Sequence, residues 1–252
     1  MGRIITVASG KGGVGKTTFV CNLAAALARM GKGVVVVDAN LTTPNLGVHL
    51  GIPLYPITLQ DVLSGDAKLK EALYADKSGV KILPADMSIT KLSKTTAGEL
   101  VNVLYKLADG FDFVVVDSAA GLGREAVTAI EAADELITLT NPEMPAVVDA
   151  LKLCKITEKL ETTNLGVVIN KVRNDRHEMH PQEVREFLGL DILGTIPEDK
   201  MFRRALKEKQ PLVNYRPGSK ASRSYRAIAS TLSGVQAKKQ PAFVYMLGWL
   251  KR

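Results

Sequence analysis

A loop at residues 10–18 holds the residues whose types and spacing point most directly to chemistry. It reads GKGGVGKTT, fits the pattern G-x-x-x-x-G-K-[ST] and begins two residues after an apolar run. In this pattern the glycines free backbone amides to surround phosphate oxygens, the lysine reaches the terminal phosphates, and the hydroxyl contacts Mg²⁺. The loop therefore predicts a site for a nucleoside triphosphate. The alternative, a glycine-rich turn with no ligand, leaves this complete match unexplained.

Individual positions of this loop have predicted roles. Lys16 is expected to bridge the β and γ phosphates, and Thr17 to ligate magnesium at the N-terminus of the following helix. Lys11 is a second lysine that the general pattern does not need, so we expect it to serve a second surface or a partner. The residues predicted to bind the nucleotide here are Gly10, Lys11, Gly12, Gly13, Val14, Gly15, Lys16, Thr17 and Thr18.

Two aspartates follow Val-rich runs and are the predicted acidic partners of the loop. Asp38 ends the run at 34–38, and Asp117 ends the run at 113–117. Phosphoryl-transfer sites of this type hold the ion between the loop hydroxyl and an acid at a neighbouring strand end. An aspartate in this position also occurs as a helix cap, which is the alternative for Asp117. The predicted magnesium ligands are Thr17, Asp38 and Asp117.

Short apolar runs rich in β-branched residues predict the strands that must position these groups. Stretches with helical spacing lie between most of them, so strand and helix alternate. The predicted fold is a single α/β domain, a doubly wound and mostly parallel sheet with helices on both faces. Ligands bind beyond the carboxyl ends of the strands in such sheets, where the loop and both aspartates fall. The predicted strands are residues 4–8, 34–38, 81–84, 113–117, 135–140, 165–170 and 191–196.

The chain divides into a body and a tail. Ser219 is the expected N-cap of the last helix of the body, and Gly234 follows the end of that helix. We therefore assign a P-loop domain to residues 1–234, and a basic linker with a short amphipathic helix to residues 235–252. The predicted helices of the body include residues 17–30, 98–108, 145–159, 201–209 and 220–232.

Composition excludes several classes of protein. The chain has 252 residues, 46% of them hydrophobic, which is ordinary for one α/β domain. No apolar stretch approaches the roughly 20 residues of a membrane-spanning helix, and the first residues lack the features of a signal peptide. Cys21 and Cys154 lie in separate predicted helices and offer neither a disulfide framework nor a paired-cysteine metal site. A reducing cytoplasm is therefore the expected compartment.

The net charge of +7 is unevenly distributed along the chain. Residues 200–252 contain 13 Lys or Arg against one acid, Glu208, whereas the preceding residues carry a net charge of −5. This asymmetry favours an anionic surface as a partner, either lipid or nucleic acid. The alternative is that the basic residues keep an exposed face in solution.

The loop with its extra lysine, Asp38 after a Val-rich strand and the segment 117–121 resemble the MinD/ParA family of P-loop ATPases. The resemblance covers nearly the whole chain and is nearest to the archaeal MinD-like cell-division ATPases. It implies ATP and Mg²⁺ as cofactors and a homodimer that forms on ATP binding. Iron-sulfur carriers of the same superfamily need paired cysteines to hold a cluster, which this chain lacks.

The resemblance also assigns roles to individual residues. Lys11 would reach across the dimer to the ATP of the partner, because two sandwiched nucleotides need cations from both sides. The alternative is that Lys11 folds onto its own loop or onto an acid such as Asp149. An asparagine at a strand end also forms turns, which is the alternative for Asn170. The residues that would line the adenine pocket are Asn170, Pro197, Glu198 and Asp199.

Asn40 stands where many members of this family have an aspartate. Its amide can orient water through the carbonyl oxygen but supplies neither negative charge nor a useful base. Phosphoryl transfer depends more on positioning than on a strong base, so we expect hydrolysis to be weak or to depend on an activating protein. The alternative is that Asn40 caps the following turn. The residues predicted to act in catalysis are Lys11, Lys16 and Asn40.

The last eleven residues, 242–252, are unusually apolar and end in two basic residues. At helical spacing they form an apolar face with a tryptophan at its flank, which resembles the membrane-targeting tail of MinD proteins. The basic residues flank the apolar run here, whereas in those tails they are usually interspersed. The alternatives are packing on the protein body and docking on a partner. The residues predicted to contact lipid are Phe243, Met246, Leu247, Trp249 and Leu250.

These features together predict an ATP-dependent, dimerising switch that takes part in spatial organisation or cell division. Such a protein would be cytoplasmic and peripheral on the inner face of the cell membrane, because its tail would bind anionic lipid. The competing prediction is a ParA-like partition ATPase whose basic C-terminal segment binds nucleic acid nonspecifically. A lipid binder loses its affinity with the tail, whereas a nucleic-acid binder keeps it.

Overall fold

The computed structural model of the chain describes residues 1–51, 55–86 and 97–234. Its strands are β1 (Arg3–Ala8), β2 (Val34–Ala39), β3 (Tyr74–Ala75), β4 (Lys81–Leu83), β5 (Phe113–Ser118), β6 (Glu135–Thr140), β7 (Thr163–Val172) and β8 (Ile192–Pro197). They form one eight-stranded sheet in the order β3-β4-β2-β5-β1-β6-β7-β8. All neighbouring strands are parallel except β3 and β4. The predicted mostly parallel α/β sheet is confirmed.

Helices cover both faces of this sheet. They are α1 (Lys16–Ala28), α2 (Leu46–Leu50), α3 (Leu59–Leu63), α4 (Ala97–Ala108), α5 (Arg124–Glu131), α6 (Met144–Thr157), α7 (Pro181–Leu188), α8 (Met201–Lys207), α9 (Leu212–Tyr215) and α10 (Lys220–Ser233), with a 3-10 helix at Leu69–Ala72. Successive valines of β2 pack on opposite faces of the sheet. Val36 joins the cluster under α1 and α10, and Val37 joins the cluster under α4. Both valines are fully buried, which accounts for the continuous apolar run of this strand.

Several short elements have no predicted counterpart, namely β3, α2, α3, α5, α7 and α9. The longest of them have eight residues, which is too short for a clear helical period. β7 is longer than the predicted strand at 165–170, because it begins two residues earlier and ends two residues later. α8 ends at Lys207 rather than at the predicted residue 209, because Lys209 takes a left-handed backbone (φ 54°) that stops a right-handed helix.

The last helix of the described chain, α10, has the N-cap and the terminating glycine that the sequence predicts. The Ser219 hydroxyl accepts a hydrogen bond from the Ser222 N–H at 3.1 Å, so Ser219 caps α10. Gly234 ends the helix in the left-handed conformation (φ 66°) that favours glycine. Cys21 and Cys154 are both buried and unpaired. The predicted linker and helix at 235–252 lie outside the described residues.

Tyr225 provides a test of the packing that joins α10 to α1. Its ring is fully buried and contacts Phe19 and Phe202 with ring centroids 5.7 Å and 6.3 Å away, but its hydroxyl has no hydrogen-bond partner among the described residues. We expect Tyr225→Phe to raise the free energy of unfolding by about 1 kcal/mol in urea denaturation, because the unpaired hydroxyl is removed. The control Tyr225→Leu should lower it by roughly 2 kcal/mol through lost packing. A destabilised Tyr225→Phe would contradict this account.

Candidate nucleotide and magnesium site

The loop at 10–18 connects β1 to α1 at the carboxyl end of β1. Gly13 (φ 80°) and Gly15 (φ 97°) lie in the left-handed region, which glycine enters at little cost. Gly15 precedes α1 without a side-chain cap, so the first amides of the helix are left for a ligand. Gly10 packs so closely on α6 that a Cβ there would collide with the backbone carbonyl of Asp149. The backbone of the loop is therefore shaped to receive an anion.

The two predicted aspartates meet beside this loop. β2 and β5 are neighbouring parallel strands whose register places Asp38 opposite Asp117, and both side chains are buried. The Thr17 hydroxyl donates to Asp117 Oδ2 at 2.6 Å. Lys16 Nζ lies 3.9 Å from Asp117 Oδ1. The structure thus brings together all four of the side chains that were predicted to hold magnesium and the terminal phosphates.

The two aspartates are electrostatically strained as a pair. Burial, and then the nearby charge of Asp117, raises the pKa of Asp38 to about 8. Burial also raises the pKa of Asp117, against the opposing effects of Lys16 and the Thr17 hydroxyl. Asp117 Oδ1 accepts no hydrogen bond from the described residues. A divalent cation beside these oxygens would relieve the strain, so the site fits Mg²⁺, which prefers oxygen ligands.

Asn40 occupies the turn that follows β2. Its Nδ2 donates to the Thr43 carbonyl at 2.6 Å, and its Oδ1 accepts from the Thr43 N–H at 3.3 Å and from the Thr43 hydroxyl at 3.1 Å. Asp38 supports the same loop, since its two oxygens accept from the N–H groups of Asn40 and Leu46. In this conformation Asn40 caps the turn, which is the alternative that the sequence left open.

Lys11 is exposed at the start of the loop. Its carbonyl accepts the Ser9 hydroxyl at 3.0 Å, which orders its backbone but not its side chain. Asp149, the acid considered as its partner within the chain, pairs with Lys152 at 3.0 Å instead. Among the described residues no acid forms an ion pair with Lys11. The structure therefore does not contain the Lys11–Asp149 alternative.

The residues assigned to the adenine pocket lie at two adjacent strand ends. Asn170 is buried near the end of β7, and its Nδ2 donates to the Val14 carbonyl of the loop at 2.8 Å. Pro197 ends the neighbouring strand β8. The ends of β7 and β8 are therefore adjacent, since Val172 faces Pro197, and Asn170 contacts the loop.

The two acids after Pro197 have structural partners in this conformation. Glu198 Oε2 accepts from Arg173 Nε at 2.6 Å, a solvent-exposed pair that links the ends of β7 and β8. Asp199 Oδ1 accepts from the Met201 N–H at 2.8 Å, at the first residue of α8. Both side chains thus order the segment around them, and their contact with a base stays a prediction.

Lys171 is a functional candidate that the sequence analysis missed. It follows Asn170, takes a left-handed backbone (φ 59°) and donates from Nζ to the Gly13 carbonyl at 2.6 Å. A lysine beside an asparagine at a strand end was the only signal in the sequence. The backbone conformation that directs the side chain to the loop has no signature there, because left-handed positions usually carry glycine or asparagine.

Two further contacts near the site were also missed. Thr42 donates from its N–H and hydroxyl to the two carboxylate oxygens of Glu125, at 3.0 Å and 2.8 Å. This pair links the loop after β2 to the first turn of α5. His49 Nε2 lies 3.2 Å from the Thr18 hydroxyl, and so joins α2 to the start of α1. Both pairs lie far apart in sequence, so no local pattern could indicate them.

The predicted lipid contacts cannot be placed in this structure. Phe243, Met246, Leu247, Trp249 and Leu250 all lie outside the described residues. Within the described ranges, no helix has the length and apolar character needed to cross a membrane.

Comparison with known proteins identifies relatives along most of the chain. The family model for the CobQ/CobB/MinD/ParA nucleotide binding domain matches residues 5–212. An uncharacterized ATP-binding protein of Methanocaldococcus jannaschii is 39% identical over 240 residues, 95% of this chain and 91% of that protein. The septum site-determining protein MinD of Bacillus subtilis is 34% identical over 242 residues, 93% and 90% of the two chains.

A solved structure extends the likeness to three dimensions. The septum site-determining protein MinD from Pyrococcus horikoshii, complexed with Mg-ADP, has a TM-score of 0.88 and 36% identity to this chain. The match covers 95% of this chain and 100% of that chain. With a family model matched over most of its length and relatives of this similarity, the chain belongs to the CobQ/CobB/MinD/ParA family of nucleotide-binding domains.

Proposed function

We propose that this chain is an ATP-dependent switch of the MinD type. It binds Mg-ATP, dimerises around two nucleotides, associates with anionic membrane through residues 235–252 and hydrolyses ATP slowly. The observation that carries the proposal is the anion-shaped loop with Thr17 and Asp117 hydrogen-bonded beside it and Lys11 exposed at its start. The Mg-ADP complex of the P. horikoshii relative and the septum-site function named for the B. subtilis relative support it.

The side chains around the loop account for triphosphate binding. Lys16 is almost completely buried, so its charge acts on phosphate in a medium that screens it weakly. The residues that would hold the magnesium ion are Thr17, Asp117 and, from the neighbouring strand, Asp38. When bound, the ion supplies charge stabilisation for the phosphate oxygens. The loop amides and Lys16 hold the phosphates in line for transfer.

Asn170 favours adenine over guanine as the base. One N–H of Nδ2 is bonded to the Val14 carbonyl, and the Oδ1 acceptor of the same amide is the group that we assign to the base. The 6-amino group of adenine is a donor and matches this acceptor. Guanine carries a carbonyl at the same position, which would place two acceptors against each other. This assignment of Oδ1 agrees with ATP as the nucleotide.

Lys11 is the group that would link nucleotide binding to dimerisation. Its side chain is exposed, and Asp149, the acid considered for it, is paired with Lys152. Two Mg-ATP molecules enclosed between subunits present dense negative charge, and a cation from each partner lowers the repulsion between them. The dimer therefore depends on the nucleotide as well as on the protein surface.

Replacing Lys11 tests the dimer directly. We expect Lys11→Ala to stay monomeric in Mg-ATP while it still binds one nucleotide per chain, because Lys16 and the loop amides are unchanged. Light scattering after size exclusion, with and without Mg-ATP, measures the change. The control is Lys152→Ala, which removes another exposed cation, on α6, and should dimerise like the wild type. Normal dimerisation of Lys11→Ala would refute the role of Lys11 across the dimer.

Slow hydrolysis follows from the position of Asn40. Both polar groups of its side chain are bonded to Thr43, so the turn must open before the Asn40 amide can orient a water molecule. An amide also adds no negative charge beside the attacking water. In this conformation the phosphate loop can accept nucleotide, whereas the Asn40 amide, which is assigned to hydrolysis, is bonded to Thr43. A protein activator that opens the turn would raise the rate.

Substituting Asn40→Asp separates these two effects. The aspartate cannot donate to the Thr43 carbonyl and adds charge beside the buried Asp38. We expect the free energy of unfolding to fall by about 1–3 kcal/mol and the ATP turnover measured by phosphate release to rise. Asn45→Asp, on the exposed side of the same loop, is the control and should change turnover little. Brisk wild-type turnover that does not rise in Asn40→Asp would contradict the proposal.

The membrane step rests on the sequence of the tail. α10 ends at Ser233 with Gly234 as its cap, so residues 235–252 continue from that end of the domain. An eleven-residue amphipathic helix binds lipid weakly by itself. Two tails held in one ATP-bound dimer would bind together, and linkage of this kind can gain on the order of 100-fold. ATP would then place the protein on the membrane, and hydrolysis would release it.

Liposome flotation tests the whole proposal in one assay. With vesicles rich in anionic lipid we expect flotation in ATP, little flotation in ADP, and none in either nucleotide after deletion of residues 242–252. The matched control uses vesicles of neutral lipid. Equal flotation in ATP and in ADP would refute the nucleotide-dependent switch. Salt-sensitive DNA binding that survives the deletion would favour the ParA-like alternative, for which the exposed cations Arg203, Arg204 and Arg223 are a candidate surface.

A further inference from the structure

The end of β7 departs from the regular alternation of a strand. Between Ile169 and Val172 it has one residue more than the facing stretch of β8, which is the mark of a β-bulge. Lys171 lies in this interval with a left-handed backbone (φ 59°), an uncommon conformation for a residue with a side chain. Successive side chains of a regular strand point to opposite faces. Because of the bulge, Asn170 and Lys171 both reach the same loop.

The two side chains bond to consecutive carbonyl oxygens of the phosphate loop. Lys171 Nζ donates to the Gly13 carbonyl at 2.6 Å, and Asn170 Nδ2 donates to the Val14 carbonyl at 2.8 Å. In a planar trans peptide the C=O and the N–H point in opposite directions. Holding the Gly13 carbonyl from outside therefore turns the Val14 N–H into the loop. The bond to the Val14 carbonyl turns the Gly15 N–H the same way.

We propose that Lys171 is a positioning residue for phosphate: with Asn170 it holds the loop amides of Val14 and Gly15 in the orientation that receives the anion. This inference rests on the proposed function, since it concerns the same nucleotide site. Lys171 itself contacts the loop backbone from the side of β7. It acts on the phosphate through the amides that it orients.

The chemistry of the position argues against a purely structural role. A left-handed lysine costs stability that glycine or asparagine would avoid. Its hydrogen bond to Gly13 is exposed to solvent, so it contributes little to folding. The contacts of Asn170 and Lys171 with the loop also require a glycine at position 15. A Cβ there would lie 2.6 Å from Asn170 Nδ2 and 3.7 Å from Lys171 Cε. The left-handed Lys171 on β7 and Gly15 in the loop therefore both serve the close contact between the two segments.

Lys171→Met tests the proposal because it keeps the aliphatic chain and removes the ammonium. We expect the dissociation constant for Mg-ADP to rise roughly 10-fold, mainly through faster dissociation of a fluorescent ADP analogue, with an unchanged melting temperature of the protein alone. Lys171→Arg should recover part of the affinity. The control is Lys209→Met, which alters the other left-handed lysine of the described residues, at an exposed position, and should bind as the wild type does.

Pyrophosphate distinguishes an effect on the loop from an effect on the nucleoside. Magnesium pyrophosphate, which has no base, should displace the fluorescent ADP from Lys171→Met with an affinity lowered by the same factor. Unchanged pyrophosphate affinity beside weakened ADP would assign Lys171 to the nucleoside and overturn the proposal. Wild-type affinity for both ligands in Lys171→Met would also overturn it. Failure of the wild-type chain to bind Mg-ADP would instead refute the proposed function itself.

Discussion

Two carboxylates buried side by side are the constraint on which the rest of the site depends. Asp38 and Asp117 face each other at the ends of neighbouring strands, out of contact with water. Burial raises the pKa of each carboxyl, and the nearby charge of Asp117 raises the pKa of Asp38 further. Lys16 offsets only part of this charge, from 3.9 Å away. A divalent cation beside these oxygens would balance the remaining negative charge.

The same carboxylates hold the surrounding backbone, so that charge and loop conformation are coupled. Asp38 accepts hydrogen bonds from the N–H groups of Asn40 and Leu46, at both ends of the loop after β2. Asp117 accepts from Thr17 in the first turn of α1. A cation that draws on these oxygens competes with the bonds that order the loop. Through these contacts, an ion at the site would act directly on the loop after β2.

Sequence reasoning located the features that depend on a short stretch of neighbouring residues. The loop at 10–18 and the aspartates after Val-rich strands were placed correctly, because parallel strands bring their carboxyl ends to one edge. It missed the features that depend on backbone geometry or on distant pairs. Lys171 reaches the loop only because of a bulge in β7, and the register of a strand is set by its neighbours.

Asn40 illustrates the remaining limit of sequence reasoning. Its type allowed both a role in hydrolysis and a turn cap, and only the bonds to Thr43 show which of the two this conformation contains. Short helices such as α2 and α3 were missed for a related reason. Each of these five-residue helices buries only two or three side chains, too few to show a helical period in the sequence.

The contrast between the phosphate loop and the loop after β2 bears on whether the protein acts as a switch. The phosphate loop is held from outside by Asn170 and Lys171, whose bonds leave its amides directed inward. The loop after β2 is held closed on itself by Asn40 and fastened to α5 through Thr42 and Glu125. In the proposed function, nucleotide would bind without rearrangement of the phosphate loop, whereas Asn40 would act in hydrolysis only after the loop after β2 opens. A conformational step would then separate binding from turnover, and a partner that contacts Thr42 or Glu125 would set how long the nucleotide stays intact.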